Sequence, residues 1–323
     1  WSRRTNIMPN YQGVWSLSTH YQAKGSDNWF VPPLALFGGS SDSTTIDTFS
    51  LITQGNAVDF GTMSTQRRLY GASGSSTRAL FGGGREGSTD YRLIDFVTYG
   101  SGGSTSTFGN LSSPGKFTVK SASNGTRSLF AAGYNVDSSG GVYNVIDYVT
   151  IASTGNSLDF GNLATAMYWP GALASSVRAV FAGGSDNPGS RANVISYVTI
   201  ANTGNTSDFG DLLTATYGLA GCSSSTRGLF SGGQDTGGAV NVIQYITIAS
   251  TGNATDFGNL TVTSGKAAAT SSKTIALIGG FTTNNTAVDF VTIASAGNGA
   301  DYGDLSVGRS DVGATSNGHG GLA

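Results

Sequence analysis

The chain is poor in charge, and poorer still in the residues that sustain helices. Only 11% of its 323 residues are Asp, Glu, Lys or Arg, less than half of the roughly 25% usual in globular domains. Of 19 acidic residues only Glu86 is a glutamate, and lysine occurs five times. Mostly helical and α/β folds are therefore disfavoured. The one cysteine, Cys222, excludes an internal disulfide and a cysteine metal cage. Two histidines, His20 and His319, stand at opposite ends of the sequence, and no clustered metal ligands stand out. A net charge of −2 gives no electrostatic footprint for nucleic acid. No apolar run approaches the ~20 residues of a membrane-spanning helix, so no membrane span is expected. The sequence starts at Trp1, which leaves the question of an upstream leader open.

What the chain has in abundance is glycine, 49 residues or about 15%, with Ser, Thr and Asn for turns and Val, Ile, Tyr and Phe for strands. These residues recur with a period. An aromatic followed by Gly returns at Phe60, Phe108, Phe160, Phe209, Phe257 and Tyr302, at spacings of 48, 52, 49, 48 and 45. Six copies of about 48 residues cover residues 34–323. Each copy reads as four short strands: a small-residue stretch such as Gly221-Cys222-Ser223, a segment such as Gly228-Leu229-Phe230, a β-branched run such as Val242-Ile243-Gln244-Tyr245-Ile246, and Asp256-Phe257-Gly258. Repeated four-stranded units of this length are the signature of a β-propeller. The first strand, being small, suits the crowded central channel. The chain enters the repeat at a second strand (Leu34 to Gly39) and ends with a spare first strand (Asp311 to Ser316). That permutation lets the C-terminal strand close the first blade and removes an open edge.

The Gly pair after the second strand and the permuted closure resemble kelch-repeat propellers, although the Tyr and Trp of the kelch unit are missing at their fixed spacing. The wording Ile146-Asp147-Tyr148-Val149-Thr150-Ile151-Ala152-Ser153-Thr154-Gly155-Asn156, followed by Asp159-Phe160-Gly161-Asn162-Leu163, resembles repeats in virion proteins of tailed bacteriophages. The segment from Tyr11-Gln12-Gly13-Val14-Trp15 through Trp29 is similar to an N-terminal element of such proteins. The resemblance implies a virion component, in an extracellular particle, in contact with other virion proteins and multimeric there; it implies no particular chemistry.

Internal comparison of the copies shows where they differ. The gap between the third strand's central residue (Thr48, Phe96, Tyr148, Tyr197, Tyr245, Phe290) and the fourth strand's aromatic is 12 in all six. The gap from the Gly pair to the third strand is 6, 9, 12, 10, 9 and 7. Strands alternate in direction, so these variable loops share one face of the disk with the connections between blades. Varied loops on a rigid scaffold are where recognition is placed, though unconstrained loops also drift. The candidate ligand-binding residues are Arg85, Asp90, Tyr134, Asp137, Tyr143, Asp186, Arg191 and Asp235. Aromatics of the first 33 residues, Tyr11, Trp15, Tyr21 and Trp29, are candidates for anchoring onto another protein, or for capping the first blade.

Recurrent charged residues read as structural. Asp59, Asp159, Asp208, Asp256 and Asp301 precede the aromatic of the fourth strand; a turn role once per blade is favoured over a cation-binding ring. Arg78, Arg127, Arg178 and Arg227 open the second strand and are expected to pair with Asp of neighbouring blades, or else to line a phosphate-binding ring. A glycosidase needs two carboxylates at a set separation, and no such pair stands out; nor does a nucleophile with its base. The expectation is thus an all-β, six-bladed kelch-like β-propeller, preceded by an anchoring arm over residues 1–33. It would use no cofactor, no metal and no catalytic residues, and would be a non-enzymatic tail-fibre, baseplate or capsid-surface protein meeting a host-surface glycan or protein. A secreted sugar-binding propeller is the alternative, and a propeller enzyme the third reading.

Overall fold

In the computed structural model, residues 32–136, 141–186 and 190–322 are described. The chain divides into two units, Trp1–Pro32 and Pro33–Ala323; Tyr11, Trp15, Tyr21 and Trp29 lie outside the described residues, as does Asp137. The second unit is a six-bladed β-propeller, six antiparallel sheets of four strands each. Blade 1 pairs Val58–Thr62, Thr45–Ser50 and Leu34–Gly38 with the C-terminal strand Gly313–Ser316. This is the expected closure, and a reciprocal clasp reinforces it: the Leu34 amide donates to Asn317 Oδ1 at 2.6 Å and the Asn317 amide to the Leu34 carbonyl at 3.2 Å. The other inner strands are Gly71–Gly74, Lys120–Ser123, Gly171–Ala174, Ala220–Ser223 and Ala268–Ser271, and each touches its two neighbours around the ring. Their Ala, Ser and Gly side chains line the narrow channel. Cys222 is among them, its thiol pushed up to about 12 by burial, an inert small filler.

Sheets stack through seams built from the repeated motif. In every blade the register slips at the second residue of the third strand, for example between Ile146 and Asp147, so the fourth strand's aromatic is the extra residue of a β-bulge. The bulged ring packs edge-on against the third strand's aromatic, as in Tyr148–Phe160 at 5.9 Å and Tyr197–Phe209 at 5.8 Å. Blades 2–6 make this contact at the constant spacing of 12, and blade 1 keeps the spacing with Thr48 in place of the ring. The bulged carbonyl accepts from the turn glycine of the next blade in all six seams: Gly103 to Phe60, Gly155 to Phe108, Gly204 to Phe160, Gly252 to Phe209, Gly297 to Phe257 and Gly55 to Tyr302. The turn asparagine then accepts from the amide two residues after the aromatic, as Asn205 does from Asn162 at 2.9 Å. A Cβ on Gly161 would lie 2.3 Å from the Gly204 carbonyl oxygen, at φ +145°; only glycine fits. The Asp residues before the aromatic cap this bulge, with Asp59, Asp159 and Asp301 accepting from Gly61, Gly161 and Gly303, the turn role expected of them.

The Arg positions correct the expectation of Asp partners or a phosphate ring. Arg78, Arg127, Arg178 and Arg227 each lie 4.4–4.9 Å over their own third-strand ring. Each donates to the next blade's backbone, Arg78 to the Ile151 carbonyl and Arg127 to that of Ile200, both at 3.0 Å. The guanidinium clamps two blades by cation–π contact and charge-assisted hydrogen bonding. Between blades 6 and 1, Ile275 takes this position. There a cleft of about 650 Å³ opens among the described residues, lined by Leu51, Ile52, Phe290 and Tyr302.

Candidate functional site on the loop face

Connections between blades cross the loop face before descending into the inner strands. Their first task is to seal the core. Arg67, Lys116 and Arg309, one per connection, are buried and ion-pair with buried Asp95, Asp147 and Asp47 on the third strand of the blade they enter, at 2.9, 3.1 and 2.8 Å. At the same positions the fourth and fifth blades have Met167 with Ser196 and Thr216 with Gln244. In blade 6 Ser264 replaces the cation, and Asp289 accepts from the Thr261 amide and hydroxyl, both at 2.7 Å; burial raises the carboxyl's pKa.

Immediately after the sealing residue, the connection pairs by an isolated bridge with the start of the variable loop. The bridges join Arg68 to Arg85, Phe117 to Tyr134, Tyr168 to Ser185 and Tyr217 to Gln234. Among the described residues three of these loops are small hairpins, Arg85–Glu86 with Thr89–Asp90, Tyr134–Asn135 with Gly141–Val142, and Gln234–Asp235 with Gly238–Ala239. The bridges align aromatic side chains into a run across four blades. Arg85 lies 4.9 Å over Phe117; Phe117 meets Tyr134 at 5.5 Å, Tyr134 meets Tyr168 at 5.7 Å, and Tyr168 meets Trp169 at 6.1 Å. Trp169 stacks on Tyr217 at 5.5 Å with the planes 2° apart, and Arg191 covers Tyr217 at 5.3 Å. The Tyr217 hydroxyl donates to Gln234 at 2.6 Å. All five rings are half-buried, so the run offers solvent flat apolar surface with guanidinium groups at both ends.

Of the residues expected from sequence, the structure brings Arg85, Tyr134 and Arg191 into this run. Asp90 sits behind it, 3.5 Å from Arg85, and its carboxylate also accepts from the Val136 amide. Asp235 caps the turn of its own hairpin through the Gly237 amide. Tyr143 is turned toward Lys116, whose ammonium lies 5.8 Å over its ring, and Asp186, next to the bridged Ser185, is exposed. Phe117, Tyr168, Trp169 and Tyr217 are not marked in the sequence by loop-length variation, because they lie in connections of nearly constant length. The available signal was an aromatic at one position of three consecutive connections, 117, 168 and 217.

At the inner end of each connection the backbone turns sharply. Leu69, Thr118, Trp169, Gly218 and Asp311, each two residues before its inner strand, have φ between 57 and 74°. They form a rim round the channel mouth, where the Thr118 amide donates to Leu69, Leu69 to Asp311, and Gly218 to Trp169. Left-handed backbone at four non-glycine residues costs roughly 1–3 kcal/mol each, a feature concentrated at functional surfaces. Asp311 is buried in the rim and bridged by Lys266 at 3.3 Å and Arg68 at 3.8 Å. Below it Lys120 opens an inner strand at a position occupied elsewhere by Gly or Ala. Desolvation lowers its ammonium's pKa to about 8, against partial support from Asp311.

At the opposite end the channel is closed by His319 and the short turn Gly320–Leu322. His319 Nε2 lies 3.1 Å from the Gly74 carbonyl and Nδ1 accepts from the Gly321 amide. Burial pushes the imidazole down to about 4.

Among the described residues no group of three His, Cys, Asp or Glu could hold a metal ion, and no helix is long and apolar enough to cross a membrane. No protein-family model and no curated protein matches the chain.

Proposed function

We propose that this propeller is a non-enzymatic recognition module that binds a surface saccharide across its loop face, in the setting of a tailed-bacteriophage virion. The observation that carries it is the run Phe117–Tyr134–Tyr168–Trp169–Tyr217 with Arg85 and Arg191 at its ends. Sugar rings present apolar C–H faces that pack on half-exposed aromatic planes, while their hydroxyls meet donors at the rim; this is how a largely apolar surface with a few placed polar groups gains both affinity and orientation. The rings are held by backbone bridges and by each other, which lowers the entropy lost on binding. The virion setting rests on the likeness of the repeat unit and the N-terminal segment to virion proteins. Host attachment is the role that joins it to a saccharide-binding face.

Two measurements test this reading. On an array of bacterial surface polysaccharides the protein is expected to bind a subset, and Trp169→Ala is expected to weaken that binding at least tenfold while the thermal midpoint stays within a few degrees. An array with no binder, or a Trp169→Ala variant that binds unchanged, would overturn the saccharide reading. Mass spectrometry of purified particles is expected to find the chain; its absence, with saccharide binding retained, replaces the virion setting by a secreted sugar-binding propeller.

A further inference from the structure

The channel mouth lies at the inner end of the aromatic run, where Trp169 belongs to both the run and the rim. Three cations converge there on one carboxylate. Arg68 and Lys266 ion-pair with Asp311 from two different connections, and Lys120 senses the same carboxylate from the channel wall. The neighbouring cations are already neutralised: Arg67 and Arg309 are spent on Asp95 and Asp47, and Arg85 on Asp90. The mouth therefore carries an uncompensated positive charge at the centre of the loop face. Among the described residues no hydrogen bond or ion pair holds the Lys120 ammonium, which lines a space of about 40 Å³ with Tyr70, Ser121, Val312 and the small residues of the inner strands. The Tyr70 hydroxyl donates to the Gly38 carbonyl. Lys120 is half-buried, desolvation lowers its pKa to about 8, and the five other inner strands begin with Gly or Ala at this place.

We propose that the channel mouth is an anion subsite, in which Lys120, flanked by Arg68 and Lys266, takes the acidic substituent of a saccharide whose rings lie on the aromatic run. This rests on the saccharide reading above and deepens it by naming the ligand class as an acidic sugar. The space is large enough for one small anionic group and too small for a pyranose ring, so the substituent enters the mouth and the ring remains outside, against Trp169. Binding would replace the missing partner of Lys120 and leave Asp311 on its two ion pairs. Lys120 carries its charge below about pH 8 and loses it above; Asp311, Arg68, Lys266, Tyr70 and Arg309 are the other titratable groups near it. The preference for acidic sugars is expected to fall as the pH rises through that value.

The test uses the full chain and NMR titration with glucose, glucuronate, glucose 6-sulfate, glucose 6-phosphate and a short poly-glutamate peptide. At pH 7 at least one acidic sugar is expected to bind ten times more tightly than glucose, and the three acidic arms identify the substituent. Lys120→Met, close in volume and uncharged, is expected to abolish that preference while leaving weak glucose binding and the thermal midpoint intact. Lys266→Ala, further from the wall, should reduce the preference several-fold and serves if Lys120→Met fails to fold. A Lys120→Met protein that still prefers the acidic sugar, or a protein that binds the peptide and no sugar, overturns the proposal. Polysaccharide binding that depends on Trp169 but shows no acidic preference removes the subsite and spares the saccharide reading; loss of all saccharide binding removes both.

Discussion

Gly161 and Gly204 face each other across one seam, yet substitution should treat them differently. A Cβ on Gly161 would strike the Gly204 carbonyl at 2.3 Å, in a left-handed conformation, whereas a Cβ on Gly204 would meet nothing within 4 Å. Clash and backbone strain together amount to about 2–5 kcal/mol, so Gly161→Ala is expected to move the denaturant midpoint by that much and Gly204→Ala to stay within about 0.5 kcal/mol. Equal effects would show that the seam does not depend on this close approach. The buried pairs offer a second comparison, because the chain contains its own uncharged version. Asp95→Ser leaves Arg67 buried without its carboxylate and should cost about 3–5 kcal/mol. Arg67→Met with Asp95→Ser copies the Met167–Ser196 arrangement of blade 4 and should recover most of that loss. Denaturant unfolding of both variants decides it: a double variant no more stable than the single one would mean that the charge is structurally required.

The connections between blades carry more of the candidate site than the loops whose lengths vary. The strands, their number, their order and the closing role of residues 313–316 were legible because each depends on a local pattern: β-branched residues in the third strand, small ones in the first, a Gly pair after the second. Arg85, Tyr134 and Arg191 were legible as loop residues of varied sequence. The partners of Arg78 and its equivalents were not, because a backbone carbonyl 73 residues away leaves no mark on composition. Nor was the aromatic run, since Phe117 becomes the neighbour of Tyr134 only through a bridge between a connection and the following loop. Lys120 was hidden for a further reason. Among inner-strand residues that are mostly Gly, Ala or Ser, its meaning depends on which groups the ring brings to it, and Asp311 comes from the connection that enters blade 1 near the C-terminus.

Taken whole, the propeller has two dissimilar faces joined by a narrow channel. The far end is sealed by an imidazole, and this ties the stability of the ring to pH. His319 is held neutral, with its folded pKa near 4 against an ordinary value of 6.5. The unfolded chain therefore binds a proton that the folded one refuses between those values, and stability is full above pH 6.5 and lost as the pH falls toward 4. His319→Gln removes the titration. The stability difference between wild type and variant is expected to shrink by about 1–3 kcal/mol between pH 7 and pH 4.5, measured by denaturant unfolding at the two pH values. A difference independent of pH would mean that the ring is not the titrating element.

Ring closure has a mechanical side as well. The strand Leu34–Gly38, through which residues 1–33 join the propeller, is not at the edge of its sheet but second in it, with Thr45–Ser50 on one side and Gly313–Ser316 on the other. Tension drawn through Pro33 along this strand must shear two antiparallel ladders together, so every hydrogen bond shares the load. A tether fixed to an outer strand would instead peel, breaking bonds one after another at far lower force. The Leu34–Asn317 clasp stands where such a load enters. The permutation that closes the ring thus also sets the junction with residues 1–33 in a strand held by ladders on both sides.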